Sequence, residues 1–95
     1  IIDGSGKTVI PGFVMLHEHL FYAKPHNGNY KGVHMTNTFP QMYLAGGVTT
    51  MRTAGSFEAS ADLNIKNLIN QGKMVGPAMD VSTPHVERLG FIPQH

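Results

Sequence analysis

Cysteine and tryptophan are missing from these 95 residues. Without cysteine there is no disulfide scaffold and no thiolate metal site, and the redox compartment stays open. Charge is scarce as well. Asp, Glu, Lys and Arg make up 14% of the chain against a usual share of about 25%, while 41% is hydrophobic. That balance excludes a disordered chain kept open by charge. The net charge of +1 leads us to expect no basic face for nucleic acid or anionic lipid. No apolar run approaches the roughly 20 residues of a membrane helix. Neither G-x-G-x-x-G nor G-x-x-x-x-G-K-[ST] occurs, so the nucleotide-binding folds lose their main support. A charged-then-apolar leader pattern is not visible, and a chain opening on Ile1-Ile2-Asp3 reads as trimmed at its start. The compartment is left undetermined.

What is present is histidine, six in number, together with eleven Gly and six Pro. Many breakers and few charges suggest short buried elements joined by shaped loops. Residues 1–10 read as two short extended pieces around the turn Asp3-Gly4-Ser5-Gly6. Phe13-Val14-Met15-Leu16 is an unbroken apolar run, expected to be a strand buried on both faces, and His17-Glu18-His19 follows it directly. Residues 20–37 show no period and read as a long loop. Thr38 is a candidate cap for a helix stopped by Gly46-Gly47. Residues 48–53 are β-branched and read as a second strand.

Ala61, Ile65, Leu68 and Ile69 mark one face of a second helix, with Ser60 or Asp62 as its cap and Gly72 as its stop. Residues 78–82 read as a third strand and 85–95 as loop. The order β-α-β-α-β implies a parallel sheet with helical crossovers.

His17 and His19 lie one residue apart at a strand end. A period of two puts both side chains on one face, with Cα atoms about 7 Å apart. Two imidazoles so placed can converge on one ion at about 2.0–2.1 Å each. Spacing alone is a weak signal, since two polar residues at a strand end read the same way. The position strengthens it, because α/β folds place their ligand sites at the C-terminal edge of parallel strands.

The stretch I-D-G-S-G-K-T-V-I-P-G-F-V-M-L-H-E-H-L resembles the amidohydrolase superfamily. These are metal-dependent hydrolases on a (β/α)₈ barrel, here of the imidazolonepropionase and prolidase-like kind. Their first barrel strand reads P-G-[FL]-[IV]-D-x-H-x-H and is entered from a small β-sandwich. A-G-G-V-T-T-M-R-T (45–53) is similar to the family's second strand, and I-N-Q-G-K-M-V-G-P-A-M (69–79) to its passage into the third. The resemblance implies that His17 and His19 are first-strand ligands of a Zn²⁺ or another divalent ion, in a site of one or two metals. Met15 and Thr53 depart from the pattern, each standing where the family usually has Asp. The family's remaining ligands would fall beyond residue 95.

The expected architecture is therefore α/β. Residues 1–10 are the end of a β-sandwich segment, and 11–95 hold the first three strands and two helices of a partial (β/α)₈ TIM barrel. The implied activity is hydrolysis of amide, cyclic amide or peptide-like C–N bonds by metal-activated water. A site with two of its ligands should be inactive alone, so a partner is expected in the rest of its own barrel or in another chain. A non-catalytic truncated segment and a small His-based metal-binding module remain open beside it. Among the other candidates, His85 follows the third strand and could line a substrate pocket or be a plain loop residue. Glu18 is expected on the face opposite the histidines, paired with a charge. His26, His34, Tyr22 and Tyr30 read as surface residues, and Arg52 as one half of a salt bridge. Met15, Met51 and Met79 fall inside strands and read as packing rather than copper ligands.

Overall fold

A computed structural model describes residues 1–86; the end of the loop expected over 85–95 lies outside the described residues. The elements in order are β1 (Phe13–Glu18), β2 (Phe21–His26), β3 (Asn29–His34), α1 (Thr38–Ala45), β4 (Val48–Thr53), α2 (Ala59–Asn70) and β5 (Ala78–Asp80). β1, β4 and β5 form a parallel sheet in that order, with β4 in the middle. β2 and β3 form a separate antiparallel hairpin. The fold is mixed α/β.

Both expected helices form, close to their expected limits. α1 ends where Gly46 and Gly47 donate their amides back to Met42 and Leu44, with Gly47 at φ 91°. Its N-cap position is Asn37, not Thr38, and no side chain caps it. α2 begins one residue before Ser60, with Glu58 in the cap position. Asp62 therefore lies inside the first turn, not at its cap. Gly72, at φ 70°, donates to the Ile69 carbonyl and ends the helix as expected.

The core consists of Leu20, Val48, Met51, Ile65 and Met79, with Phe39, Tyr43, Ile69, Met74 and Val81 packed around it. α1 packs on β4 and α2 on β5. Met51 and Met79 are buried, in line with a packing role.

Three expectations need correction. The first concerns β1, expected to be buried on both faces. Val14 and Leu16 are instead 60% and 70% exposed. The cause is position: β1 pairs with β4 alone, and neither helix packs on it among the described residues.

The second concerns residues 20–37, which hold the β2–β3 hairpin rather than loop alone. Asn27 (φ 48°) and Gly28 (φ 78°) are both left-handed at its tip. A two-residue turn with both central residues at positive φ matches the twist of the strands it joins, and Asn-Gly is the sequence that adopts it most readily.

The third concerns residues 1–10. The turn forms, with Lys7 donating to the Gly4 carbonyl and Ser5 bonded twice to the Asp3 carboxylate. Those bonds, side chain first, hold Asp3 below the usual carboxylate range. The flanking residues form no strand and no ladder among the described residues.

So small a core should be sensitive. Ile65→Ala is expected to lower the unfolding free energy by about 2–5 kcal/mol, seen as a fall in the urea midpoint. Leu16→Ala, on the open strand, should change it by less than about 0.5 kcal/mol.

Candidate functional site

β1 delivers His17 and His19 to the C-terminal edge of the parallel sheet, where the pairing of β1 with β4 becomes irregular between Met15 and Glu18. The two rings meet edge to face with centroids 5.3 Å apart. The same-side placement expected from a two-residue spacing is found. His85, after β5, comes to the same edge, its ring 6.3 Å from that of His19. Phe21 lies 4.9 Å from His19 and 6.1 Å from His85, ring to ring. Nδ1 of His19 is buried and has no hydrogen-bond partner among the described residues. No group of three metal-capable side chains occurs among the described residues.

The backbone beneath the pair is tied down from two sides. Tyr43, on α1, donates its hydroxyl hydrogen to the His19 carbonyl at 2.8 Å. Ala54, just past β4, donates its amide to the Glu18 carbonyl at 2.8 Å. The neighbour of the Glu18 side chain is the Tyr43 phenol and not the charge expected. The Tyr43 pKa is pushed up to about 12, by burial first and then by the hydrogen bond and charge of Glu18, with the bond to His19 acting the other way. A phenol beside a carboxylate in partly buried surroundings holds its proton because ionisation would add a second negative charge there.

His85 has a seat. Gly55, at φ 85°, presents its bare Cα to the imidazole, and a Cβ there would overlap the ring. The approach is secured by Ser82. Its amide donates to Thr53 Oγ1 at 2.8 Å, and its Oγ accepts the Gly55 amide at 2.8 Å. Thr53 is fully buried. It stands where the family pattern has Asp, and here it joins β4 to the segment after β5.

Two further expectations change. Arg52 is opposite Asp80 in the β4–β5 register but makes no ion pair among the described residues; Asp80 instead lies 3.8 Å from Lys66. Arg52 lines an open groove of about 380 Å³ on the sheet face, together with Val14, Leu16, Thr50, Asp80 and Ser82. His26, Tyr22 and Tyr30 are exposed as expected. His34 is not a simple surface residue: its Nε2 is 2.8 Å from Oδ1 of Asp62, whose Oδ2 accepts a 2.5 Å bond from Ser56 Oγ. Asp62 is almost fully buried because α2 presents it inward in its first turn. The carboxylate sits between the other two, so the imidazole does not face the Ser56 hydroxyl. The trio is a clasp, not a nucleophile. Phe21, Gly55, Phe57 and Ser82 all shape this edge, and nothing in their spacing marked them.

No family model matches the chain. It is 43% identical over 56 residues, 59% of its length, to an enamidase from Eubacterium barkeri, and that match spans 13% of the enamidase. It also superposes on the crystal structure of a "putative prolidase" from Bifidobacterium longum, with a TM-score of 0.72 and 25% identity, covering 99% of this chain and 21% of that one. The amidohydrolase resemblance is borne out. The chain thus spans about an eighth and about a fifth of the lengths of these two proteins.

Two outcomes follow from the geometry. Tyr43 keeps its proton above the ordinary value of 10, up to about 12. Its contribution to stability is therefore whole below pH 10 and falls as pH rises from about 10 to 12. Tyrosinate absorbance should show one late-ionising phenol that Tyr43→Phe removes. Gly55→Ala should displace the His85 ring, visible as a shift of its imidazole resonances. It should also cost at least about 1 kcal/mol, from a methyl forced into an occupied, left-handed position.

Proposed function

We propose that residues 11–95 form the opening strands and helices of an amidohydrolase (β/α)₈ barrel, with residues 1–10 as the segment leading in from a small β-sandwich. β1, β4 and β5 are then the first three barrel strands, and the β2–β3 hairpin is an insertion after the first. The observation that carries this reading is the pair His17 and His19, ring against ring at the C-terminal edge of a parallel sheet. The enamidase and prolidase-like matches support a hydrolase acting on C–N bonds in the complete protein.

The donor set fits a divalent ion, zinc being the expected one. Two imidazoles stand side by side, and the buried Nδ1 of His19 has no hydrogen-bond partner that a ligand would have to displace. His17 and His19 are the residues that would hold it. A bound ion supplies a water whose pKa is lowered toward about 7 and polarises a carbonyl oxygen. Tyr43 and Ala54 fix the backbone on which the two histidines are carried. His85, seated on Gly55 beside His19, is placed to meet a small amide or peptide-like substrate.

A catalytic zinc site takes three protein ligands and leaves one position for water. The described residues contribute two, so turnover requires further ligands, from the rest of the barrel or another chain.

Zinc titration of the 95-residue chain, followed by His side-chain resonances and calorimetry, tests the assignment. Binding is expected at His17 and His19, weaker than a complete site would give, and reduced at least tenfold in His19→Ala. Amide hydrolysis by the chain alone should be undetectable. Zinc affinity unchanged in both His17→Ala and His19→Ala would reject the assignment.

A further inference from the structure

The β2–β3 hairpin has a chemistry that the proposed hydrolase does not use. In its register Tyr22 is opposite Val33, Lys24 opposite Lys31, and His26 opposite Asn29. Cross-strand partners and residues two apart share one face of a ribbon. That face therefore carries a phenol, two ammonium groups, an imidazole and a carboxamide, all able to donate hydrogen bonds. Every one of these donors is exposed. No Asp or Glu occurs from His19 through Phe57. Neither lysine makes an ion pair among the described residues.

Like charges directly opposite on paired strands repel. The ribbon sustains the opposition because its base is anchored. His34 is held by buried Asp62, and Phe21 stacks on Phe57 with ring centroids 3.9 Å apart. Gly32 leaves the space that the Phe57 ring fills. The two ammonium groups are thus presented together, with nothing of opposite sign between them. An oxyanion placed there would offset the repulsion and could accept further bonds from Tyr22, His26 or Asn29.

We propose that this face of the hairpin is an oxyanion-binding site, taking a carboxylate or phosphate group of a small ligand between Lys24 and Lys31. It stands independently of the hydrolase reading, since neither residue belongs to the histidine edge.

The test is a titration of the 95-residue chain with succinate and, separately, with inorganic phosphate, at constant chloride and neutral pH, followed by backbone amide shifts. Saturating shifts confined to residues 22–33 are expected. Each lost ammonium group should weaken binding about tenfold, the loss of one charge-assisted contact. The double variant Lys24→Gln, Lys31→Gln should then show no saturation. Tighter binding of succinate would assign a carboxylate ligand, and tighter binding of phosphate a phosphorylated one. Lys24→Glu gives a second check: it replaces the repulsive pair by an attractive one, so the ribbon should stay paired while anion binding is lost. Non-saturating shifts with both probes would overturn the proposal. So would saturation that survives in the double variant.

Discussion

The parallel sheet and the histidine edge both depend on β4. It is paired on both edges, to β1 and to β5, and it supplies Val48 and Met51 to the core. A strand paired in parallel on both sides needs crossovers that return the chain to the same end, and here α1 and α2 supply that return. α1 then packs on β4, and α2 on β5. The end of β4 also organises the histidine edge: Ala54 holds the Glu18 carbonyl, and Thr53 and Gly55 receive Ser82 and so bring His85 into place. One central strand thus fixes both the core and the positions of three imidazoles.

The parts legible in the sequence were those written by local chemistry. The β-branched run 48–53, the apolar period of α2 and the glycine stops at 46–47 and 72 each state their element within a few residues. The hairpin was missed because its strands carry Pro25, Gly32 and polar residues on both faces, leaving no alternation to detect. Asn27-Gly28 was the available signal. The exposure of β1 was also hidden. An apolar run of four says that a strand wants neighbours on both faces, but not whether this stretch of chain supplies them.

The site divides along the same line. His17 and His19 were readable because a two-residue spacing becomes a shared face once the strand is granted. Their support was not readable. Tyr43 reaches His19 across 24 residues, Ser82 reaches Thr53 across 29, and His34 reaches Asp62 across 28. A polar side chain in a helix or loop carries no sequence mark of a partner that far away. Net charge is silent on how charge is distributed. A total of +1 conceals a 39-residue stretch, from His19 through Phe57, with no acid in it.

The Asp62 clasp bears on how the molecule opens. A two-stranded hairpin is marginal by itself in water, and β2–β3 contributes only its first and last turns of chain to buried surroundings. Its persistence is therefore tied to the first turn of α2. When that turn frays, the carboxylate meets water and His34 loses its anchor, which leaves at the base of the ribbon the Phe21 ring contacts and the bond from the Met35 amide to the carbonyl of buried Leu20. Through this clasp the opening of the hairpin is coupled to the fraying of the first turn of α2. Loss of the clasp would speed amide exchange in the hairpin strands as well as in the first turn of α2, although the two are distant in sequence.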